Sequence, residues 1–129
     1  MTKSIFKEKY SINTLLVSKN ETIFSTSQEI ANFFEEKIIA HPVAKYLSTF
    51  DNYEHTSSMN GEIQDEIKSA LVVMFCFGKA IPNPKILAIR PRVFGITELE
   101  NSFSIDFMDA PSDDLTNIMT NWTKELKNK

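Results

Sequence analysis

Ala70–Gly78, ALVVMFCFG, is the longest uninterrupted apolar run in the chain, and the loop that follows it contains Pro82 and Pro84. Alternate residues of a strand point to opposite faces of a sheet. In this run both sets are apolar: Leu71, Val73, Phe75 and Phe77 on one side, and Ala70, Val72, Met74 and Cys76 on the other. A strand without a polar face is typical of one that is covered on both sides. We therefore predict a strand in the middle of a sheet, with both faces buried.

The chain before this strand predicts a hairpin followed by helices. Residues 11–24 alternate around a turn at Lys19-Asn20, as two short antiparallel strands do. Ser25–Glu29, STSQE, contains overlapping capping boxes, so we expect a helix that starts there and ends at Pro42. Residues 51–61 are polar and predict a surface loop, and residues 62–69 predict one further helical turn. A second, short helix to about residue 53 is predicted by four apolar residues at helical spacing: Val43, Tyr46, Leu47 and Phe50.

The chain after the apolar run predicts two strands and a helix. Lys85–Thr97 has a strand pattern that Pro91 interrupts, so we expect it at the sheet edge or with a bulge at that point. Ser102–Met108 alternates Phe103, Ile105 and Phe107 with polar residues, which predicts a strand with one buried face. Ser112 is the expected N-cap of the last helix. The buried stripe of that helix is predicted to comprise Leu115, Ile118, Met119, Trp122 and Leu126.

The predicted order of elements, ββααβββα, groups strands between helices. This order favours an α+β fold with a mainly antiparallel sheet of about five strands, helices packed on one face and a long C-terminal helix. A sheet curved around that helix and a flat two-layer sandwich both fit the order. We expect the 129 residues to form a single domain, residues 1–129.

Composition excludes several classes of protein. The formal net charge of −3 argues against general nucleic-acid binding, which needs a basic surface to displace counterions. The longest apolar run is too short to cross a membrane, so we expect no membrane partner. Cys76 is the one cysteine, so no disulfide forms within the chain, and the N-terminal residues lack the apolar region of a signal peptide. We therefore expect a cytoplasmic protein.

Positive charge concentrates in the segment from Lys79 to Arg92. The chain has 12 lysines and two arginines, Arg90 and Arg92, which flank Pro91. No acidic residue lies between positions 67 and 97. Because the planar guanidinium grips carboxylate or phosphate through two hydrogen bonds, this segment predicts an anion site. The predicted ligand-binding residues are Lys79, Lys85, Arg90, Arg92 and Phe107.

The predicted strand register decides where the arginines point. If Thr97 lies opposite Ser102, then Arg92 lies opposite Phe107 and Arg90 opposite Asp109. Both guanidiniums would then project from the end of the apolar face, whose wall would be Phe94, Ile105 and Phe107. A slip of one residue would turn both arginines to solvent. Two alternatives stay open: Arg90 pairs with Asp109 or a nearby glutamate as a structural contact, or the arginines meet a partner protein.

The sequence supports a metal site or an enzyme less well. His41, His55 and Cys76 are residue types that bind metals, but none lies within four residues of another. A cysteine in an apolar strand is expected to have a raised pKa and to be inert as a nucleophile. We predict no catalytic or metal-binding residues, and the sequence indicates no particular cofactor.

Three pieces of the sequence resemble a small bacterial family of uncharacterised proteins, a domain of unknown function. They are His41-Pro42-Val43-Ala44, Cys76-Phe77-Gly78-Lys79 with Pro82-Asn83-Pro84, and Arg90-Pro91-Arg92. The similarity runs from about residue 6 to residue 122. It implies a bacterial cytosolic protein of this size and places no residue in a role.

Taken together, the residues favour a non-enzymatic module that binds a small organic anion. The alternative is an interaction protein or homo-oligomer, such as a homodimer, that meets its partner through the Pro91-interrupted edge strand or the arginine pair. An enzyme with an unrecognised site comes third.

Overall fold

A computed structural model describes all residues from Met1 to Lys129 and contains one antiparallel sheet of six strands. The strands are β1 (Thr2–Phe6), β2 (Tyr10–Ser18), β3 (Ala44–Asp51), β4 (Ser69–Phe77), β5 (Arg92–Glu98) and β6 (Ser102–Met108). The helices are α1 (Ser27–Ala40), α2 (Asn52–Ser58) and α3 (Asp113–Lys124), with a 3₁₀ helix at Pro84–Ile89. Neighbours across the sheet are ordered β1-β2-β6-β5-β4-β3. The α+β class and the antiparallel sheet are confirmed, whereas the strand number and the order of elements differ from those predicted.

One face of the sheet carries the core. Leu71, Val73 and Phe75 of β4 are buried there, and the core-facing residues of β2, β5 and β6 join them. Helices α1 and α3 cover this face. Phe34 of α1 stacks on Phe94 of β5 with 4.1 Å between ring centroids. The alternation in β6 is confirmed, since Phe103, Ile105 and Phe107 are buried. Of the predicted stripe of the last helix, Leu115, Met119, Trp122 and Leu126 are buried, Ile118 is only partly buried, and Leu126 lies beyond the end of α3.

The opposite face, which we call the open face, is only half buried along β4. Val72, Met74 and Cys76 are partly exposed, and the flanking Val93 and Phe50 are exposed. Strand β4 is an interior strand, as predicted, because it pairs with both β3 and β5. The expected burial of both its faces is wrong, since α1 and α3 pack on one face only.

The N-terminal hairpin is formed by other segments than those predicted. Strand β2 pairs with β1 on one side and with β6 on the other. Residues 22–24 form no strand. Strand β6 is the better partner for β2, because it places Val17 beside Phe103 and Leu15 beside Ile105 in the core. Phe24 instead packs on Phe33 of α1.

The predicted second helix is strand β3. The register shifts between Tyr46 and Ser48, so Leu47 occupies a bulge in the edge strand. The four residues whose spacing predicted a helix do not share a face: Tyr46 pairs with Phe75 on the core side and Phe50 with Val72 on the open face, while Val43 precedes the strand. Residues 52–58, expected in a loop, form α2, and residues 62–69 form no helical turn.

Pro91 does not interrupt a strand. The residues before it form the 3₁₀ helix, which starts at Pro84 with the Asn83 side chain as its cap. Strand β5 begins at Arg92 and lies between β4 and β6, so the predicted edge position and bulge are both wrong. The Arg90–Pro91 peptide bond is cis.

Both predicted helix caps are confirmed. Thr26 and Glu29 form a reciprocal capping box at α1, and the Ser112 side chain accepts a hydrogen bond from the backbone of Leu115 at α3. None of the helices combines the length and apolarity needed to cross a lipid bilayer.

Candidate functional site

A cleft opens at the end of the sheet where β4 ends, β5 begins and α3 starts. Its volume is about 230 Å³. The two arginines of the sequence both line it, and the other lining residues come from β4, the 3₁₀ helix and the start of α3. The full lining is Phe77, Gly78, Ile86, Ile89, Arg90, Arg92, Pro111, Ser112 and Leu115. Two cationic side chains therefore share a small cleft with four large apolar ones.

Arg92 enters this cleft because of the strand register. Glu98 lies opposite Phe103, and Ile96 lies opposite Ile105, a shift of two residues from the predicted pairing. The predicted pairs of Arg92 with Phe107 and of Arg90 with Asp109 are therefore wrong. Since the shift is even, the assignment of faces survives, and Arg92 projects from the end of the core face as expected.

The Arg92 guanidinium donates hydrogen bonds to backbone carbonyls. Its Nη2 donates to the carbonyl oxygens of Met108 at 3.0 Å and Asp109 at 2.8 Å, and Nη1 lies 3.5 Å from the carbonyl oxygen of Ile89. Burial lowers the pKa of Arg92 from its ordinary value, and the negative charge of Asp109 opposes that change. The Nε–H is buried without a partner. Arg92 thus joins the 3₁₀ helix to the end of β6 and fixes one wall of the cleft.

Arg90 has no such partners. Its side chain is half buried, and every ion pair in the protein is formed by a lysine. The guanidinium lies over the backbone of Gly78, where an added Cβ would be 2.8 Å from Nη2. Gly78 has a φ of +108°, which favours glycine. The absence of a side chain at this position leaves room for the Arg90 head group.

Asp109, the partner expected for Arg90, is occupied by other residues. Its carboxylate accepts hydrogen bonds from Lys3 Nζ at 2.8 Å, Asn13 Nδ2 at 2.8 Å and Ser11 Oγ at 2.8 Å. These contacts, with Lys3 the largest contributor, lower the pKa of Asp109 from 3.8 to about 2. The structural pairing of Arg90 with Asp109 or a nearby glutamate is therefore wrong.

The remaining predicted site residues lie outside the cleft. Lys79 and Lys85 are exposed next to lining residues, and neither lines the cleft itself. Phe107 is buried in the core, as are the other two residues of the predicted apolar wall, Phe94 and Ile105.

The apolar wall of the cleft consists of residues that the sequence did not predict to bind a ligand: Phe77, Ile86, Ile89 and Leu115. The useful signal was Asn83-Pro84, a cap followed by a proline at a first helical position, which predicts a short helix over residues that we assigned to a strand.

The family of the protein follows from its sequence. A model of a family of unknown function, DUF6858, matches residues 1–128. The chain belongs to this family. The resemblance to a domain of unknown function is thereby confirmed, and membership in DUF6858 assigns no role to the arginines of the cleft.

Comparison with other proteins adds no functional assignment. No curated protein matches the sequence. Among solved structures, cyanobacterial PsbP from Synechocystis sp. PCC 6803 is similar at 8% identity with a TM-score of 0.42, over 96% of this chain and 68% of that chain. Similarity at this level supports no inference about function.

The histidines and the cysteine lie in separate environments. His41 packs against Phe77 with 4.8 Å between ring centroids, and its Nδ1 accepts a hydrogen bond from the Val43 backbone. His55 packs against Phe50. Cys76 is half buried on the open face, so the expected deep burial of its thiol is wrong. The structure contains no group of three or more His, Cys, Asp and Glu side chains that could hold a metal ion.

Proposed function

We propose that this protein binds a small organic anion in the cleft and performs no chemistry on it. The observation that carries the proposal is the Arg90 guanidinium, which is half buried in the cleft and forms no ion pair with any carboxylate of the protein. Burying a charge without a counterion is unfavourable. An anionic group from a ligand would supply the missing partner through two parallel hydrogen bonds.

The rest of the cleft suits the organic part of such a ligand. Ile86, Ile89 and Leu115 present aliphatic surface beside the arginine, and Phe77 adds an aromatic ring. Burial of apolar ligand surface there contributes about 25 cal/mol for each Å². This combination of an apolar wall and a few convergent polar groups is typical of small-molecule sites.

Arg92 and the two lysines have supporting roles in this proposal. Arg92 positions the walls through its bonds to backbone carbonyls, so it contributes through the geometry of the cleft more than through free donors. Lys79 and Lys85 are exposed and adjoin the lining residues Gly78 and Ile86 in the chain. Their charges would raise the positive potential around the cleft. Such charges speed the arrival of anions and lose that effect at high salt.

Substitution of Arg90 tests the proposal. Wild type, Arg90→Gln and Lys124→Gln are compared in a thermal-shift screen of organic anions. Lys124 is the matched control, because it loses the same charge at the opposite end of α3. We expect at least one anion to raise the melting temperature of wild type and Lys124→Gln and to leave Arg90→Gln unchanged. A ligand at 100 times its Kd adds about 2.7 kcal/mol, which is several degrees for a domain of this size.

Two results would refute the proposal. One is a screen in which no organic anion shifts wild type, and the other is an equal shift in Arg90→Gln. The native mass of the freshly purified protein should be compared first with its denatured mass, because a retained anion would appear as excess mass. We further propose that the binding takes place in a bacterial cytoplasm, in agreement with the free thiol of Cys76.

Pairing of strand edges supports a second candidate function, self-association. The interior position of β5 removes the edge that we expected at Pro91, and β1 and β3 are the edges instead. Strand β3 is protected by its bulge, whereas β1 has Ile5 and Phe6 exposed by 61% and 53%. An unpaired edge with apolar side chains can add a strand from a second chain.

The oligomeric state tests this second function. We expect light scattering at micromolar concentration to report a dimer that Ile5→Lys dissociates. Ile23→Lys is the matched control, since Ile23 is 63% exposed and lies outside the strands. A wild-type monomer over the whole concentration range would reject self-association.

A further inference from the structure

The charges of the cleft indicate how many charges its ligand carries. Arg90 is the one cationic side chain of the lining with no internal acceptor. The other arginine, Arg92, already donates to the carbonyls of Met108 and Asp109, and the Asp109 carboxylate lies close enough to act on its charge. The cleft therefore offers one free positive charge and no more.

The cleft disfavours a second negative charge on its ligand. Apart from the arginines, its lining is neutral and mostly apolar, with Ser112 as the one hydroxyl. The second charge of a phosphate or dicarboxylate would therefore lie against apolar walls with no second free cation to pair with it, which is unfavourable.

The donors and the size of the cleft define the rest of the ligand. The fork of Arg90 matches the two oxygens of a carboxylate, and Ser112 adds a hydroxyl to the lining. A volume of about 230 Å³ lies below the range of about 300–1,000 Å³ that is usual for drug-sized ligands. Ile86, Ile89 and Leu115 then leave space for a short aliphatic chain.

From these observations we infer that the cleft selects a monocarboxylate with a short aliphatic tail and rejects phosphate and dicarboxylates. This inference rests on the proposed function and narrows its ligand class. The same chemical group occurs in two sources, a free small acid and the C-terminal residue of a peptide that ends in leucine or valine. The carboxylate binds Arg90 in either case, and the tail contacts Ile86 and Leu115.

Titration of the ¹⁵N-labelled full chain tests the charge and the tail separately. The probes are acetate, propanoate, 3-methylbutanoate, 3-methylbutanamide, inorganic phosphate and succinate. We expect affinity to increase about fourfold for each buried methylene from acetate to 3-methylbutanoate. The neutral amide, phosphate and succinate should bind at least about tenfold more weakly than 3-methylbutanoate. Arg90→Gln should weaken 3-methylbutanoate about 10- to 100-fold, as expected for loss of a charged hydrogen-bonded pair, and Lys124→Gln should not.

The outcomes separate this inference from the proposed function. Binding of phosphate or succinate as tightly as 3-methylbutanoate, with loss in Arg90→Gln, would overturn the monocarboxylate inference and leave an anion site. No difference between acetate and 3-methylbutanoate would overturn the aliphatic tail. Failure of every anion to bind would overturn both proposals.

A peptide pair distinguishes the two sources. The probes are N-acetylglycyl-leucine with a free carboxylate and the same peptide as its C-terminal amide. Tighter binding of the free-carboxylate peptide than of 3-methylbutanoate identifies a chain end as the source, and weaker binding identifies a free acid. Binding of the amide peptide as tight as that of 3-methylbutanoate, and equal to that of the free-carboxylate peptide, would overturn the inference, because recognition would then not require the carboxylate.

Discussion

Replacement of Asp109 by asparagine should reduce the stability of the protein in a pH-dependent manner. Asp109 follows β6, and its carboxylate accepts two bonds from Lys3 of β1 and one each from Ser11 and Asn13 of β2. Asparagine keeps the shape of the side chain and a carbonyl acceptor but loses the charge. The variant therefore removes the ionic part of the contact that ties the N-terminal strand to the rest of the sheet.

The size of the effect follows from the lowered pKa. A change from 3.8 to about 2 corresponds to about 2.4 kcal/mol, at about 1.36 kcal/mol for each factor of ten. The side chains of Lys3 and Asp109 are exposed by 53% and 34%, so solvent screening reduces this value. We expect a loss of about 1 kcal/mol at pH 7.

The direction of the pH dependence is also determined. Because the folded state has the lower pKa, the Asp109 carboxylate stabilises the protein above its unfolded pKa, and this stabilisation is lost as the pH falls towards 2. About half of it should be lost by pH 3. The difference in unfolding free energy between wild type and Asp109→Asn should shrink accordingly from pH 7 to pH 3.

Urea unfolding at pH 7, 5, 4 and 3 measures this difference. Glu100→Gln is the control, because the pair of Glu100 with Lys68 at 3.2 Å is largely exposed and its loss should change stability by a few tenths of a kcal/mol at most. A difference between wild type and Asp109→Asn that stays constant from pH 7 to pH 3 would refute the assigned cause. So would an unchanged stability at pH 7.

Two further substitutions test the contact between Gly78 and Arg90 in the cleft and the packing of the core. Gly78→Ala should cost about 1–3 kcal/mol of unfolding free energy, because the φ of Gly78 is +108°, and should weaken anion binding by displacing Arg90. Gly95→Ala is the control, because Gly95 has no positive φ and an added Cβ there would lie 3.4 Å from the Asp106 carbonyl oxygen; equal losses in the two variants would contradict the explanation. Phe34→Ala should cost about 3–5 kcal/mol in thermal unfolding, because Phe34 is fully buried and stacks on Phe94, whereas exposed Phe50→Ala should cost far less; similar losses would contradict the assignment of the core face.

Local patterns predicted the elements whose burial is one-sided. Strand β6 alternates cleanly because one of its faces meets the helices and the other carries serine and aspartate. Helix α1 starts where its capping box predicts, since a cap depends on residues three positions apart. In both elements the information is local, so the sequence was sufficient.

Elements that depend on distant partners were predicted less well. Strand β3 appeared helical because its bulge at Leu47 breaks the alternation, and only pairing with β4 reveals the bulge. Strand β1 was missed because it is exposed along its whole length and has no buried face to create a pattern. The apolar β4 indicated two covered faces, although hydrophobic composition alone does not distinguish a buried face from a half-exposed one.

The two arginines show the same limit at the level of a site. Arg90 and Arg92 are chemically identical and equally placed around Pro91, so no sequence pattern distinguishes their roles. The difference arises from tertiary structure: Arg92 is the first residue of β5, whereas Arg90 ends the 3₁₀ helix and has no acidic partner. The Arg92 side chain lies where β6 ends and donates hydrogen bonds to two backbone carbonyls there. One arginine thus builds the cleft and the other remains free in it, and for this reason the proposed anion site would depend on Arg90.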